Sequence, residues 1–237
     1  MYNYEDSKNT IENILSSKTD ITKKSKIPAS DNEFTYENGV RVWVGALFID
    51  IVDSSKLFKD ANEDTARMMR AFCSETISIL KDNSNYYEIG IRGDCVYAVY
   101  NAAYQIDLLN IYNDACRINT FMRMLNKLLK QNDYPEISVG IGLGCDEELV
   151  VKAGKSGTGI NDKIWIGKAL VDASHYADKA SREFYDPIAM SSTFYNNISE
   201  MLINGNPKYK DWITYSNSCY HCNTVNIEFD KWIDNNL

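Results

Sequence analysis

Up to about residue 38 the chain is polar, and only Ile11, Ile14 and Leu15 recur at helical spacing, which predicts a short helix and then a linker ending near Pro28 and Gly39. The pattern changes at Val40. From Val40 to Ile51 nearly every position is apolar, β-branched or aromatic, as in a buried strand. Ser54 and Ser55 offer N-caps for a helix with Leu57 and Phe58, and a second helix over about 63–81 carries Met68, Met69, Phe72, Ile77 and Leu80. The period then shortens to strand-like runs at 86–92 and 95–100, joined by Gly93-Asp94, a pair that favours a tight hairpin. A long helical pattern over about 104–130 leads across Asn132-Asp133-Tyr134-Pro135 into a strand at 136–144. Strands near 148–153 and 163–166, a helix over about 168–182 and a strand-like stretch at 223–229 complete the reading.

The order up to residue 144, βααββαβ, fits an α+β fold: a ferredoxin-like palm with a central, mostly antiparallel sheet and flanking helices. In this reading the first strand lies centrally beside the second, and helices cover one face. The expected organisation is a polar N-terminal helix and linker at 1–38 and one folded domain at 39–237.

Composition narrows the function. Of the 237 residues 44% are hydrophobic, enough for a core, and the formal net charge is −8, from 33 acidic against 25 basic residues. That balance argues against a partner bound by broad phosphate neutralisation, so no nucleic acid is expected. An anionic ligand needs a local cationic pocket or a metal. No apolar stretch reaches the roughly 18–20 residues of a membrane span, and the N-terminus lacks the apolar core of a signal peptide; a cytoplasmic protein is expected. The six cysteines are scattered, which argues against a secreted disulfide framework. Cys219 and Cys222, flanking His221, lack a second ligand pair for zinc and read as thiols in or beside a strand.

The candidate chemistry rests on Asp50 and Asp94. Asp50 ends the apolar strand and Asp94 sits in the hairpin, so a palm brings both carboxylates to one sheet edge. A carboxylate at the end of a buried strand is costly without a partner, and oxygen ligands of this kind suit Mg²⁺ or Mn²⁺. The plainer reading is that Asp50 caps the next helix and Asp94 makes the turn. Gly154-Lys155-Ser156-Gly157-Thr158-Gly159 invites a phosphate-loop reading, but Leu149 stands where that motif needs glycine, and the segment reads as a hairpin loop.

Four blocks in order resemble the class III adenylate and guanylate cyclases. Phe48-Ile49-Asp50-Ile51-Val52-Asp53-Ser54-Ser55 resembles their F-x-D-I-x-x-[FS]-[ST] motif and Gly93-Asp94 their second metal motif. Ser138 to Gly144 resembles R-V-G-I-H-x-G, and Trp165-Ile166-Gly167 with Ala173-Ser174-His175 resembles W-G-x-x-V-N-x-A-x-R. The resemblance runs from about Val40 to Lys179. It implies the class III cyclase fold, with two ions of Mg²⁺ or Mn²⁺ per site held by Asp50, Asp94 and the Ile51 carbonyl. It also implies triphosphate contacts from backbone amides at Asp53, Ser54 and Ser55, and a homodimer with sites shared between subunits.

The departures matter too. The family's purine-reading lysine falls at Gly90 and its partner near Ile164, while the transition-state asparagine and arginine fall at Val171 and His175. His175, Arg92 or Lys168 are the candidates to supply the missing cation, and a one-residue slip would put Asp172 at the asparagine position. With the blocks at 91–94 and 165–169 and the ending Phe229-Asp230-Lys231-Trp232-Ile233, the chain most resembles the pyrimidine cyclases of bacterial Pycsar antiphage systems. That implies UTP, with CTP as the alternative, a cyclic product that activates a downstream effector, and base contacts from Tyr97 and Arg92. Two other readings are a degenerate cyclase-like domain that senses nucleotide or binds a protein, and another palm enzyme, which would show a turn such as G-G-D-E-F where this chain has Arg92-Gly93-Asp94-Cys95.

Overall fold

The computed structural model describes residues 2–59 and 62–237. The chain forms two compact units: one runs to Val42 and takes in Glu148–Ile166, the other comprises Trp43–Glu147 and Gly167–Leu237.

In the first unit, helix α1 (Tyr4–Ser16) is capped by Asn3 and buries none of its residues, leaving Ile11, Ile14 and Leu15 exposed. The stretch read as linker also holds a strand, β1 (Asp20–Lys23), which pairs in parallel with the start of β2 (Asn38–Ile51). Its four residues are all exposed, so no hydrophobic alternation marked it. The end of β5 (Val139–Gly154) pairs antiparallel with β6 (Asn161–Ile166), where the sequence suggested two separate strands over 136–153. The glycine-rich segment is the turn of this hairpin, with Gly154, Gly157 and Gly159 at positive φ.

The second unit holds the core. Helices α2 (Ser54–Leu57) and α3 (Glu63–Asp82) precede the hairpin β3 (Tyr86–Arg92) and β4 (Cys95–Asn101), and α4 (Gln105–Gln131) leads to β5. Then follow α5 (Ala169–Lys179), β7 (Ile188–Met190), α6 (Ser192–Gly205), α7 (Tyr209–Trp212), β8 (Ile213–Ser216), β9 (Cys219–Cys222) and α8 (Ile227–Asn236). The strand order is β3-β4-β2-β5-β7-β9-β8. β2 is central as expected, but its hairpin neighbour is β4, with Phe48 opposite Tyr97, and not the earlier strand β3.

Strand alternation sorts the side chains by face. Leu47, Ile49 and Ile51 of β2, Val96, Ala98 and Tyr100 of β4, and Val139, Ile141 and Leu143 of β5 enter one core with Phe72, Leu80, Ile111, Phe121 and Phe194 from the helices. Phe48, Asp50, Cys95 and Tyr97 therefore take the opposite face. The sequence reading covered only one face with helices, but α5 lies on this second face. Gly140, Gly142 and Gly144 make room for it: an added Cβ would stand 2.0, 1.9 and 2.2 Å from the carbonyl oxygens of Ala177, Ala173 and Ala169. Glycine at every second strand position and alanine at every fourth helical position let the two backbones touch.

The C-terminal part departs most from expectation. Residues 223–229 are not a strand: Asn226 accepts a hydrogen bond from the Phe229 N–H and starts α8, with Glu228 and Asp230 in its first turn. Alternation of Val225, Ile227 and Phe229 imitated a strand, although Val225 and Ile227 are exposed. Cys219 and Cys222 are buried in β9, and His221 between them pairs through Nδ1 with Asp186 at 2.8 Å.

Candidate active site

Strands β2, β3 and β4 and helix α5 line an open cavity of about 790 Å³, whose lining includes Phe48, Asp50, Arg92, Tyr97, Val171 and His175. The palm thus brings together four of the residues singled out from sequence: Asp50, Arg92, Tyr97 and His175. One turn and one helix-on-sheet contact do the positioning. Gly93, at φ +63, closes the two-residue hairpin that carries Arg92 and Asp94. The close fit of α5 on the glycine row sets Val171 and His175 across from the strands.

Asp50 is the electrostatic centre. Burial pushes its carboxyl above the ordinary value, the hydrogen bond from Arg182 opposes this, and the charges of Asp94 and Asp178 push it further up. The Asp94 charge thus acts on Asp50, while Asp94 itself is not among the residues that line the cavity. Arg182 Nη2 donates to Asp50 Oδ2 at 2.8 Å and reaches the Ile51 carbonyl at 3.5 Å. The same two oxygens that would ligate a divalent ion already converge on one positive group. Among the described residues no cluster of three or more His, Cys, Asp or Glu forms a ligand set. The Asp50 carboxylate and the Ile51 carbonyl are hard oxygens of the kind a divalent cation takes, with further positions left to other oxygen ligands.

Arg182 escaped the sequence reading, which extended the helix through it. The helix stops at Lys179, where Ala180 turns to extended backbone, and Ser181 and Glu183 then adopt left-handed backbone, at φ +58 and +53. The turn folds Arg182 back over the helix end, where Nη1 donates to the carbonyls of Ala177 and Ala180 at 3.0 and 3.4 Å. A basic residue at the very end of the helical pattern was the signal the sequence held.

One end of the cavity is shaped by Tyr97. Its ring stacks on Phe48 with centroids 5.2 Å apart, and its hydroxyl donates to Glu88 Oε1 at 2.8 Å. Across the hairpin its partner is Gly90, where an added Cβ would stand 2.4 Å from the ring. Beside Asp50, the Cys95 thiol is pushed up to about 12, chiefly by burial and further by the Asp50 charge, so it stays protonated at neutral pH.

Other expected residues lie differently. Asp53, not Ser54 or Ser55, is the N-cap of α2, in left-handed conformation at φ +58, and its side chain pairs with Lys56 at 2.7 Å in the open. The amides of Ser54 and Ser55 precede the first intrahelical donors, Lys56 and Leu57, which bond to the Asp53 carbonyl. Lys168 does not line the cavity; it stands exposed at the N-cap of α5, its backbone N–H bonded to Asp146 Oδ2 at 3.0 Å. Asp172 is held above the ordinary carboxyl range by burial, against the opposing charge of Lys168, and it too is absent from the lining.

No protein-family model matches the chain. A uridylate cyclase of Treponema porcinum is 38% identical over 239 residues, covering 100% of this chain and 82% of its own. A second uridylate cyclase, from Gulbenkiania mobilis, is 30% identical, covering 99% of this chain and 97% of its own. The chain belongs to the uridylate cyclase family. A class III adenylyl cyclase-like ATP-binding protein from Pseudomonas aeruginosa is similar in structure, with a TM-score of 0.69 over 96% of this chain and 48% of that one. At 16% identity that likeness shows the fold, which is the class III cyclase fold. The cyclase is accordingly an enzyme of nucleotide cyclisation. Among the described residues, no helix is long and apolar enough to cross a membrane.

Proposed function

We propose that the enzyme converts a pyrimidine nucleoside triphosphate, UTP in preference to CTP, into its 3′,5′-cyclic monophosphate and pyrophosphate. The observation that carries the choice of base is the Tyr97 ring lying over Gly90. The position where a purine cyclase places a base-reading lysine holds no side chain here, and an aromatic ring fills the space. A smaller base suits the remaining cavity, with Phe48 and Tyr97 as an aromatic wall and Arg92 as a planar donor to a pyrimidine carbonyl. Both curated relatives carry the name uridylate cyclase, which supports UTP.

In the reaction the ribose 3′-oxygen bonds to the α-phosphorus, the bond to pyrophosphate breaks, and the hydroxyl proton is lost. Asp50, Asp94 and the Ile51 carbonyl would hold Mg²⁺ or Mn²⁺, two ions per site, and bound metal would lower the pKa of the hydroxyl and offset charge on the leaving group. The amides at Ser54 and Ser55 would take triphosphate oxygens. His175, exposed on the cavity wall, would donate to the α-phosphate in place of the family's arginine. Because the attack is intramolecular, holding the ribose and the triphosphate in line does most of the work.

The proposed assembly is a two-fold homodimer, and the cyclic product would act on a downstream effector in antiphage defence. Incubation with each of ATP, GTP, CTP and UTP plus Mn²⁺, read by mass spectrometry, tests the reading. A single cyclic pyrimidine product, lost in Asp50→Ala, is the expected result. Silence with all four in folded, dimeric protein would sink it and favour nucleotide sensing.

A further inference from the structure

Arg182 ties the end of α5 to Asp50. Its guanidinium is divided between two tasks: Nη1 caps the Ala177 and Ala180 carbonyls, and Nη2 sits on Asp50 Oδ2 and beside the Ile51 carbonyl. Its backbone is fixed by the turn that follows α5. There the Ser181 N–H donates to the Asp186 carbonyl at 3.2 Å, the Tyr185 N–H donates to the Arg182 carbonyl at 3.0 Å, and the Ser181 hydroxyl donates to the Val139 carbonyl at 2.7 Å. The side chains of Arg182 and Asp50 remain about one quarter exposed, at 27% and 25%, so the pair can open without disturbing the core.

We propose that Arg182 is a resident counter-ion of the Asp50–Ile51 oxygen pair, which a divalent cation must displace, and so a positioning residue that sets the metal affinity of the nucleotide-free enzyme. The inference rests on the reading of Asp50 and Ile51 as metal ligands. A half-buried carboxylate at a strand end is costly when nothing offsets its charge, and Arg182 supplies the offset. The same oxygens cannot serve a guanidinium and a divalent ion together, since like charges at that separation repel strongly in a partly dry site. When Nη2 lets go, Nη1 can keep its helix carbonyls, so the arginine is displaced without leaving the site. A residue that only braced α5 would lower metal affinity when removed, because Asp50 would lose its setting. A competing counter-ion does the opposite.

The test is Mn²⁺ binding to the full-length, nucleotide-free protein, with free Mn²⁺ read by electron paramagnetic resonance, in wild type, Arg182→Gln, Arg182→Lys and Asp50→Asn. Arg182→Gln is expected to bind Mn²⁺ about tenfold more tightly, the equivalent of one charge-assisted hydrogen bond that no longer has to break. Arg182→Lys, which keeps the charge on a point donor, is expected to fall between the two. The melting temperature of Arg182→Gln should drop without metal and recover more with Mn²⁺ than the wild type gains. Unchanged or weaker Mn²⁺ binding by Arg182→Gln, with binding still lost in Asp50→Asn, overturns the role of Arg182 alone. Should Arg182→Gln fail to fold, tighter binding by Arg182→Lys carries the proposal and unchanged binding rejects it. Binding unaffected by Asp50→Asn removes the metal-site reading itself, and the displacement with it.

Discussion

Gly90 and Tyr97 form an obligate pair: a Cβ on Gly90 would stand 2.4 Å from Cε1 of the Tyr97 ring, so the ring can lie across the hairpin only above a glycine. The ring's other neighbours, Phe48 and Glu88, hold it there by stacking and by a hydrogen bond. Replacing Tyr97 by Leu removes both restraints and widens the base end of the cavity. The yield of cyclic pyrimidine product relative to cyclic purine product, with all four triphosphates in competition, should fall at least roughly tenfold, about 1.4 kcal/mol of discrimination. An unchanged ratio would show that the base is chosen elsewhere.

Gly90→Ala tests the same pair from the other side. Overpacking of this kind costs about 1–3 kcal/mol, and it falls on a side chain that can swing. The expected outcome is a modest loss of melting temperature with a larger loss in kcat/KM for the pyrimidine substrate, because the ring leaves its stack on Phe48.

Asp50→Asn and Asp94→Asn should each lower kcat by about a thousandfold or more, since a carboxamide binds a hard divalent cation poorly and a lost electrostatic contact of this kind is worth roughly 4 kcal/mol. Neither should unfold the protein. The pair Asp50–Arg182 is about one quarter exposed, and ion pairs near the surface contribute about 1 kcal/mol or less. Activity assays beside thermal melts separate the two effects.

Much of this site was legible in the sequence because strand chemistry is local. The apolar run from Val40 to Ile51 reads as a buried strand and Gly93-Asp94 favours a tight hairpin by backbone preference, so the strands that carry Asp50, Arg92 and Tyr97 could be placed before any fold was known. The roles proposed for these residues came from the family resemblance. The elements that failed are those whose signal is tertiary. β1 is paired but wholly exposed, so nothing in its polarity marks it. α8 looked like a strand because Val225, Ile227 and Phe229 alternate; its Asn226 cap decided otherwise. Arg182 depends on two consecutive reversals of backbone hand, at Ser181 and Glu183, in residues that do not favour them. No local rule anticipates a turn imposed by packing.

The glycine row of β5 gives a sharper stability test than any apolar residue. A methyl group on Gly142 would meet the Ala173 carbonyl oxygen at 1.9 Å, and that oxygen belongs to helix backbone, which cannot rotate aside. Gly142→Ala should therefore push α5 off the sheet, at about 3 kcal/mol or more, and carry His175 and Val171 away from the strands. Loss of activity together with a large drop in the urea midpoint is expected, whereas Leu143→Ala should cost stability alone while α5 keeps its place.

A final prediction concerns Asp114, buried within α4 with only 3% of its side chain exposed. Burial raises its pKa to about 6, against the stabilising hydrogen bond from Asn83 Nδ2 at 2.8 Å and the charge of Arg117. The sign follows from where the proton sits: the folded carboxyl holds its proton more tightly than the unfolded one, near 3.8. Its contribution to stability is therefore full below pH 4 and is lost as pH rises through about 6. Asp114→Asn keeps an oxygen for Asn83 and carries no charge. The variant should be more stable than wild type at pH 8, by roughly 1–3 kcal/mol, and the difference should shrink as pH falls from 7 to 4. Denaturant melts at both pH values check this, and a gap that does not change with pH would show that the native carboxyl titrates as an ordinary one.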